Sequence, residues 1–415
     1  MHATIPVTVL SGSLGAGKTT LLNHLLRTAD ERDLAVLVND MGKVNVDAEL
    51  VAEGSDLDVE NGVAELSNGC ICCELTDDLE TAVVRLARER EFDHLIVESS
   101  GISEPEPVAK LFTTASRVAA RYEIDALVTV LDTRLFLDAF AGDEVPERTG
   151  ETDDSSTDGE TRPLSDLLIE QLETAHVVLL NKTDLCDPDE LTEATALVQA
   201  LQPSAETIET EFSAVDPDSV LDTDLFDSGQ LAELAGWKRA LDESDDDQSD
   251  HHHGGDGHHD DGHAHRHPDE RYGIDSFVFR NRRPFHPERL VSFYRELPTE
   301  VVRSKGTAWV AGRDVKVGLS QAGQSVRATV RGPWIASLPA VDQELYRANR
   351  PGLEWHDDHG DRQTELVFIG TEFDEERLRN RLTDCLVDDG EWEHADALEN
   401  PFPTEAGEAV VVREP

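Results

Sequence analysis

The stretch IPVTVLSGSLGAGKTT, residues 5–20, decides the fold. Its first part, Ile5 to Leu10, is an apolar run of strand length, and Thr20–Thr28 continues with apolar residues at helical spacing. Between them Gly12-Ser13-Leu14-Gly15-Ala16-Gly17-Lys18-Thr19 matches G-x-x-x-x-G-K-[ST]. Glycines let the backbone wrap an anion, so that successive N–H groups and a helix N-terminus face it. Gly12, Ser13, Gly15, Ala16, Gly17, Lys18, Thr19 and Thr20 therefore form a candidate phosphate cradle. In it Lys18 is expected to reach the β- and γ-phosphates of a nucleotide, and the Thr19 hydroxyl to ligate Mg²⁺.

Outward from this stretch, strands are predicted at Ile5–Leu10, Ala35–Val38, His94–Glu98, Ala126–Leu131 and Val177–Leu180. They alternate with amphipathic stretches at Thr20–Thr28, Asp77–Arg90, Pro105–Thr113 and Glu190–Leu201. Such βα alternation predicts an α/β domain, a P-loop NTPase parallel sheet flanked by helices, over residues 1–240. Residues 142–162 interrupt it with a polar, acidic loop insertion. Residues 241–271 are rich in His and Asp, hold almost no apolar residue and cannot bury a core, so they read as a disordered linker. A smaller α+β C-terminal domain follows over 272–392, with strands at Ile274–Arg280, near Thr307–Ala311, at Val315–Leu319 and at Glu365–Gly370. Its helices are expected at Pro287–Glu296 and Glu375–Leu386, and residues 393–415 read as a tail.

Two further motifs complete the nucleotide reading. Asn181-Lys182-Thr183-Asp184 follows the strand ending at Leu180, where a carboxylate accepts hydrogen bonds from guanine N1–H and its 2-amino group together. Adenine offers neither donor, so Asn181, Lys182 and Asp184 predict GTP over ATP. Glu98-Ser99-Ser100-Gly101 ends the strand His94–Glu98; Glu98 is expected to hold Mg²⁺ through water, and the Gly101 N–H to sense the γ-phosphate. The catalytic group is thus Lys18, Thr19, Glu98 and Gly101. Ile102 stands where a water-orienting Gln would serve, which predicts a GTPase of slow intrinsic turnover. An ATP-dependent P-loop kinase is the rival reading, and it requires no dependence on Asp184.

Cys70-Ile71-Cys72-Cys73 lies between the phosphate cradle and Glu98. Thiols at this spacing can converge on one soft cation, whereas a disulfide between adjacent cysteines is strained. Three thiolates suit Zn²⁺ or Cu⁺ better than Mg²⁺. Inert buried cysteines and a redox pair are the alternatives.

The ordered set GSLGAGKTT, NGCICC, VESSGISEP and NKTDL resembles the CobW family of metal-chaperone GTPases, relatives of the GTPases that assist urease and hydrogenase maturation. The resemblance covers residues 5–215, and RSKGTAWVA (303–311) with ELVFIG (365–370) looks like that family's C-terminal domain. It implies that Cys70, Cys72 and Cys73 bind a transition metal beside the nucleotide, most often Zn²⁺ and in some branches Co²⁺ for cobalamin synthesis. It also implies a client metalloprotein that receives the metal, with the small domain docking that client or forming a homodimer. A GTP-binding zinc buffer or sensor without delivery is the alternative. Many relatives carry Glu where this chain has Lys43, and some carry another where Val38 stands, which leaves the fourth ligand to Asp40, Asp47 or water.

Eight histidines crowd the linker: His251, His252, His253, His258, His259, His263, His265 and His267. Neutral imidazoles ligate borderline cations, so the strip is expected to hold several ions weakly. His24, His94, His176 and His286 are scattered and receive no function.

Composition sets the bounds. Asp and Glu number 87 against 36 Lys and Arg, for a formal net charge of −51. Nucleic-acid binding needs clustered basic residues, and that class is excluded. Only seven of the basic residues are Lys, a usage resembling proteins of salt-loving organisms, where about 1 M salt shortens the Debye length to about 3 Å. No apolar run reaches the roughly 18 residues of a membrane span, and the N-terminus has no signal-type segment. The five Cys suggest no disulfide framework, so a reducing cytoplasm is expected.

Overall fold

The computed structural model describes residues 4–29, 32–38, 63–65, 75–114, 116–141, 163–227, 274–350 and 353–414. The acidic insertion 142–162, the linker 241–271 with its eight histidines, and the cysteines at 70, 72 and 73 lie outside the described residues. So do Asp40, Lys43 and Asp47. The chain forms two compact units. The described residues of one fall within 4–139 and 167–227, and those of the other within 140–141, 163–166 and 274–414.

The first unit is a seven-stranded sheet of β1 (Ile5–Ser11), β2 (Leu34–Val38), β3 (Val63–Glu65), β4 (His94–Glu98), β5 (Tyr122–Asp132), β6 (Val177–Asn181) and β7 (Glu206–Thr210). The order is β3-β2-β4-β1-β5-β6-β7, and every pairing is parallel. The helices are α1 (Lys18–Thr28), α2 (Leu75–Glu89), α3 (Glu106–Thr114), α4 (Ser116–Ala119), α5 (Thr133–Ala141), α6 (Leu164–Glu173) and α7 (Pro188–Leu201), of which the end of α5 and the start of α6 fall in the other unit.

Successive strand residues face opposite sides, so a sheet covered on both faces needs nearly continuous apolar strands. In β1, Val7 and Val9 join one core with Leu37, Leu95, Val97, Phe112 and Leu127. Leu10 joins the other with Leu21, Leu25, Val36, Ile96, Val128 and Leu179. Thr8 is one of two polar exceptions in β1, with Ser11 at its end. The Thr8 hydroxyl lies 2.9 Å from His94 Nε2 and 3.0 Å from the Val220 carbonyl, which ties the chain after β7 to the sheet. His94 Nδ1 meets Asp222 at 3.3 Å, and Arg32 donates to the other oxygen of that carboxylate at 2.8 Å. Burial pushes the His94 imidazole below its usual pKa.

The second unit is a six-stranded antiparallel sheet, in order β13-β11-β10-β9-β12-β8. Its strands are β8 (Ile274–Asn281), β9 (Val301–Ala308), β10 (Val315–Ala322), β11 (Ser325–Pro333), β12 (Thr364–Thr371) and β13 (Ala409–Arg413). The helices are α8 (Pro287–Arg295), α9 (Ala340–Asn349), α10 (Glu375–Asp384) and α11 (Asp389–Glu393). One core joins strand residues Phe277, Phe279, Leu366 and Phe368 to Leu290, Phe293 and Tyr294 of α8 and Leu378 and Leu382 of α10.

Two expectations need correction here. The strand placed near Thr307–Ala311 runs from Val301 to Ala308, and β11 beyond it was not anticipated. Residues 393–415 are not a tail: β13 pairs with β11, and Phe402 and Val412 enter the core. The backbone carbonyls of Asn400 and Phe402 also accept hydrogen bonds from Arg313, at 2.7 Å each.

Candidate nucleotide site

Parallel strands end on one edge of the sheet, where open α/β folds bind ligands. The register aligns Val38, Glu98 and Leu10 across β2, β4 and β1, and Asp132, Asn181 and Thr210 across β5, β6 and β7. The loops after β1, β4, β6 and β7 therefore start from the same edge.

The loop after β1 folds back on the start of α1. Lys18 is buried, and its ammonium donates to the carbonyls of Gly12 at 2.9 Å and Ser13 at 3.3 Å. Those bonds curl the loop over the first turn of α1, whose N-cap Gly17 has a φ of 117° that L side chains rarely adopt. A Cβ on Gly17 would also stand 2.3 Å from Asn181 Nδ2 and 2.7 Å from Ser213 Oγ. Ser13 and Ala16 are buried, Thr19 is half-buried, and Gly15 and Thr20 are exposed.

After β4, Glu98 is buried at the strand end and Ser99 donates to the Leu10 carbonyl from both its N–H (2.9 Å) and Oγ (3.0 Å). This packs Gly101 against the cradle. A Cβ there would lie 2.7 Å from Leu14 N and 3.1 Å from Lys18 Nζ. Gly101 is thus beside the lysine expected at the γ-phosphate, and Ile102 points out with 61% of its surface exposed.

The loop after β6 divides its work differently from the sequence expectation. Asn181 is buried, its Nδ2 donating to the Ala16 carbonyl at 2.7 Å while its Oδ1 accepts from Ser213 N at 2.9 Å. Its amide therefore fixes the cradle to the loop after β7 and does not point outward to a base. Lys182 takes a left-handed conformation and bonds Asp132 at 2.6 Å. Asp184 follows on a short 3₁₀ turn, Thr183–Leu185, with its side chain exposed. The Thr183 hydroxyl ties this turn to the Thr210 carbonyl at 3.2 Å.

Ser213 was not anticipated. It is buried, has a φ of 54°, and donates from Oγ to the Gly17 carbonyl at 3.0 Å. The only sequence signal was its place just after a short edge strand, β7, that sequence reading missed.

Hard oxygen donors suit Mg²⁺, and the Thr19 hydroxyl with the Glu98 carboxylate is that kind of donor set. Among the described residues no group of three or more His, Cys, Asp or Glu is arranged to hold a metal ion. The two described cysteines are poor ligand candidates, since burial pushes the Cys385 thiol up to about 11 and also raises Cys186. His94 and His176 are core groups. Leu127 N donates to His176 Nδ1 at 3.2 Å, and burial lowers that imidazole to about 4.

A family model described as the CobW/HypB/UreG nucleotide-binding domain matches residues 6–209, and one for the cobalamin synthesis protein cobW C-terminal domain matches 274–386. A zinc-regulated GTPase metalloprotein activator 1 of Dictyostelium discoideum is 35% identical over 408 residues, covering 93% of this chain and 81% of that protein. A zinc chaperone CobW of a Sinorhizobium species is 37% identical over 186 residues, 44% of this chain and 52% of its own length. The Zn(II)-bound YjiA GTPase of E. coli aligns over 93% of this chain and 100% of its own, at 19% identity and a TM-score of 0.38.

Proposed function

Because this chain belongs to the CobW/HypB/UreG family, we propose that it is a GTPase that carries zinc and hands it to a client metalloprotein. The observation that carries the nucleotide half is the preformed cradle, in which Lys18 is held by two loop carbonyls and the loop is locked from behind by Asn181 and Ser213. Zinc is favoured over cobalt as the cargo because similar proteins of two organisms are named for zinc.

In this reading the loop N–H groups and the N-terminus of α1 receive the phosphates, and Lys18 moves from its carbonyl partners to the β/γ-phosphate oxygens. Asp184, exposed on the turn after β6, accepts from the guanine N1–H and 2-amino group. Thr19 and Glu98 would hold Mg²⁺, which offsets phosphate charge when bound. The N–H of Gly101 reports the γ-phosphate, since its Cα sits against both Leu14 and Lys18. With Ile102 exposed beside it, no described side chain at that position orients water, so unaided hydrolysis is slow. Cys70, Cys72 and Cys73 take the cargo metal, and the linker histidines supply weak secondary sites. No described helix is long and apolar enough to cross a membrane, and the cytoplasm is the compartment proposed.

The test pairs selectivity with cargo. Asp184→Ala is expected to lower the preference for GTP over ATP by about 100-fold, since the carboxylate pairs with the guanine N1–H and 2-amino group and meets no such donor on adenine. Elemental analysis should find zinc in the wild-type chain and its loss on replacing the three cysteines with Ser. Retained GTP selectivity in Asp184→Ala would instead support a kinase-like reading.

A further inference from the structure

We propose that α9 is a self-association surface, pairing antiparallel with α9 of a second copy of this chain. Among the described residues this helix buries no side chain, although it is ten residues long. It is fixed to its own unit from one side, by Gln343, whose amide donates to the carbonyls of Leu338 at 2.8 Å and Ala336 at 3.3 Å. At about 100° per residue, Val341, Leu345 and Ala348 fall within about 60° of one another, on the side opposite Gln343. Val341 is 78% and Leu345 60% exposed, so the helix presents its apolar stripe outward. That inverts the usual arrangement for a helix in a globular unit, whose stripe faces the core.

Charge selects the occupant. Asp342 and Glu344 lie in the first half of the helix, Arg347 and Arg350 at and after its end. A second copy related by a two-fold axis runs antiparallel and sets the acidic half of each helix beside the basic end of the other. Because an isologous contact repeats every pair twice, Glu344 meets Arg347 of the second copy and the reverse. The basic end is preorganised: the Arg347 guanidinium stacks 4.5 Å above the Trp355 ring and Arg350 lies 5.8 Å from the Tyr346 ring. Beside the stripe, Glu344, Arg347, Ala348, Arg350, Leu353 and Trp355 line an open, largely polar hollow of about 400 Å³. A helix this short gives a small interface, hence a weak and reversible dimer. With −51 net charge on each copy, association strengthens as salt screens the repulsion.

Sedimentation velocity of the full chain, followed up to roughly 100 μM as suits so small an interface, tests this. The wild type is expected to shift from monomer to dimer with concentration, more so in about 1 M salt than in about 0.1 M. Leu345→Glu and Val341→Glu should weaken the dimer at least about tenfold with GTP turnover unchanged. Glu344→Arg alone should weaken it, and Glu344→Arg with Arg347→Glu should restore it, because the reciprocal pairs re-form with signs exchanged. A wild type that stays monomeric throughout, as when another part of the same chain covers α9, overturns the proposal. So does a dimer that survives Leu345→Glu, or a double exchange no better than the single one.

Discussion

The two sheets of this chain solve the same burial problem in opposite ways. The parallel sheet is covered on both faces by two separate apolar cores, with a few buried polar groups such as Thr8 and His94 in its strands, and the candidate site lies in loops at the strand ends. The antiparallel sheet gathers one core from Phe277, Phe368, Tyr294 and the helices α8 and α10, and places buried polar side chains within the strands themselves. Arg303 in β9 is an example: it is 2% exposed and donates to Ser320 Oγ at 2.9 Å and to the Gln321 carbonyl at 3.0 Å. Where strands are apolar on both sides, function concentrates at one edge. The second unit instead buries polar groups such as Arg303 within its strands and carries an outward-facing helix, α9.

If this contrast holds, damage to one sheet should not register in the other's function. The largest effect is expected from Phe368→Ala, which empties a site stacked on Phe277 at 4.9 Å between ring centroids. It should cost the second unit about 3–5 kcal/mol in denaturant unfolding, with GTP affinity unchanged. A large loss of GTP affinity in that variant would break the separation.

A smaller effect, confined to the first unit, comes from His176. Burial holds its imidazole at about 4, below the ordinary 6.5, so the native state keeps it neutral while the unfolded chain takes up a proton. Its Nδ1 also accepts from Leu127 N, a bond that protonation destroys. The stability it contributes is therefore present above about pH 6.5 and is lost as pH falls toward 4, by up to about 3 kcal/mol. Comparing the wild type with His176→Gln at pH 7 and pH 5 isolates this contribution from the many carboxylates. The gap between the two proteins should narrow at the lower pH, and a constant gap would assign His176 no protonation-linked role.

Legibility in the sequence follows the same division. Strands buried on both faces, such as Val177–Asn181, stand out as continuous apolar runs, and the phosphate loop after β1 is a contiguous motif whose geometry glycine spacing dictates. β7 reads ETIET, an edge strand with charged residues turned outward, so the strand and the Ser213 loop behind it left no apolar signal. In β9 the apolar letters of TAWVA drew the expected strand toward its end, while the buried Arg303 and Ser304 disguised its middle. The motif also read Asn181 as a base contact. Only the fold reveals that both ends of its amide are committed to Ala16 and Ser213, residues far from it in sequence.

The proposed function, a GTPase that hands zinc on, requires that nucleotide binding and zinc binding by this chain be coupled. It is tested most directly by the zinc affinity of the full chain, measured by competition with a chelator in the presence of a non-hydrolysable GTP analogue, of GDP, or of no nucleotide. Affinities that differ by about tenfold or more between the GTP and GDP states, about 1.4 kcal/mol of coupling, with the difference abolished in Lys18→Ala, are the predicted result. Equal affinities in all three states would contradict it.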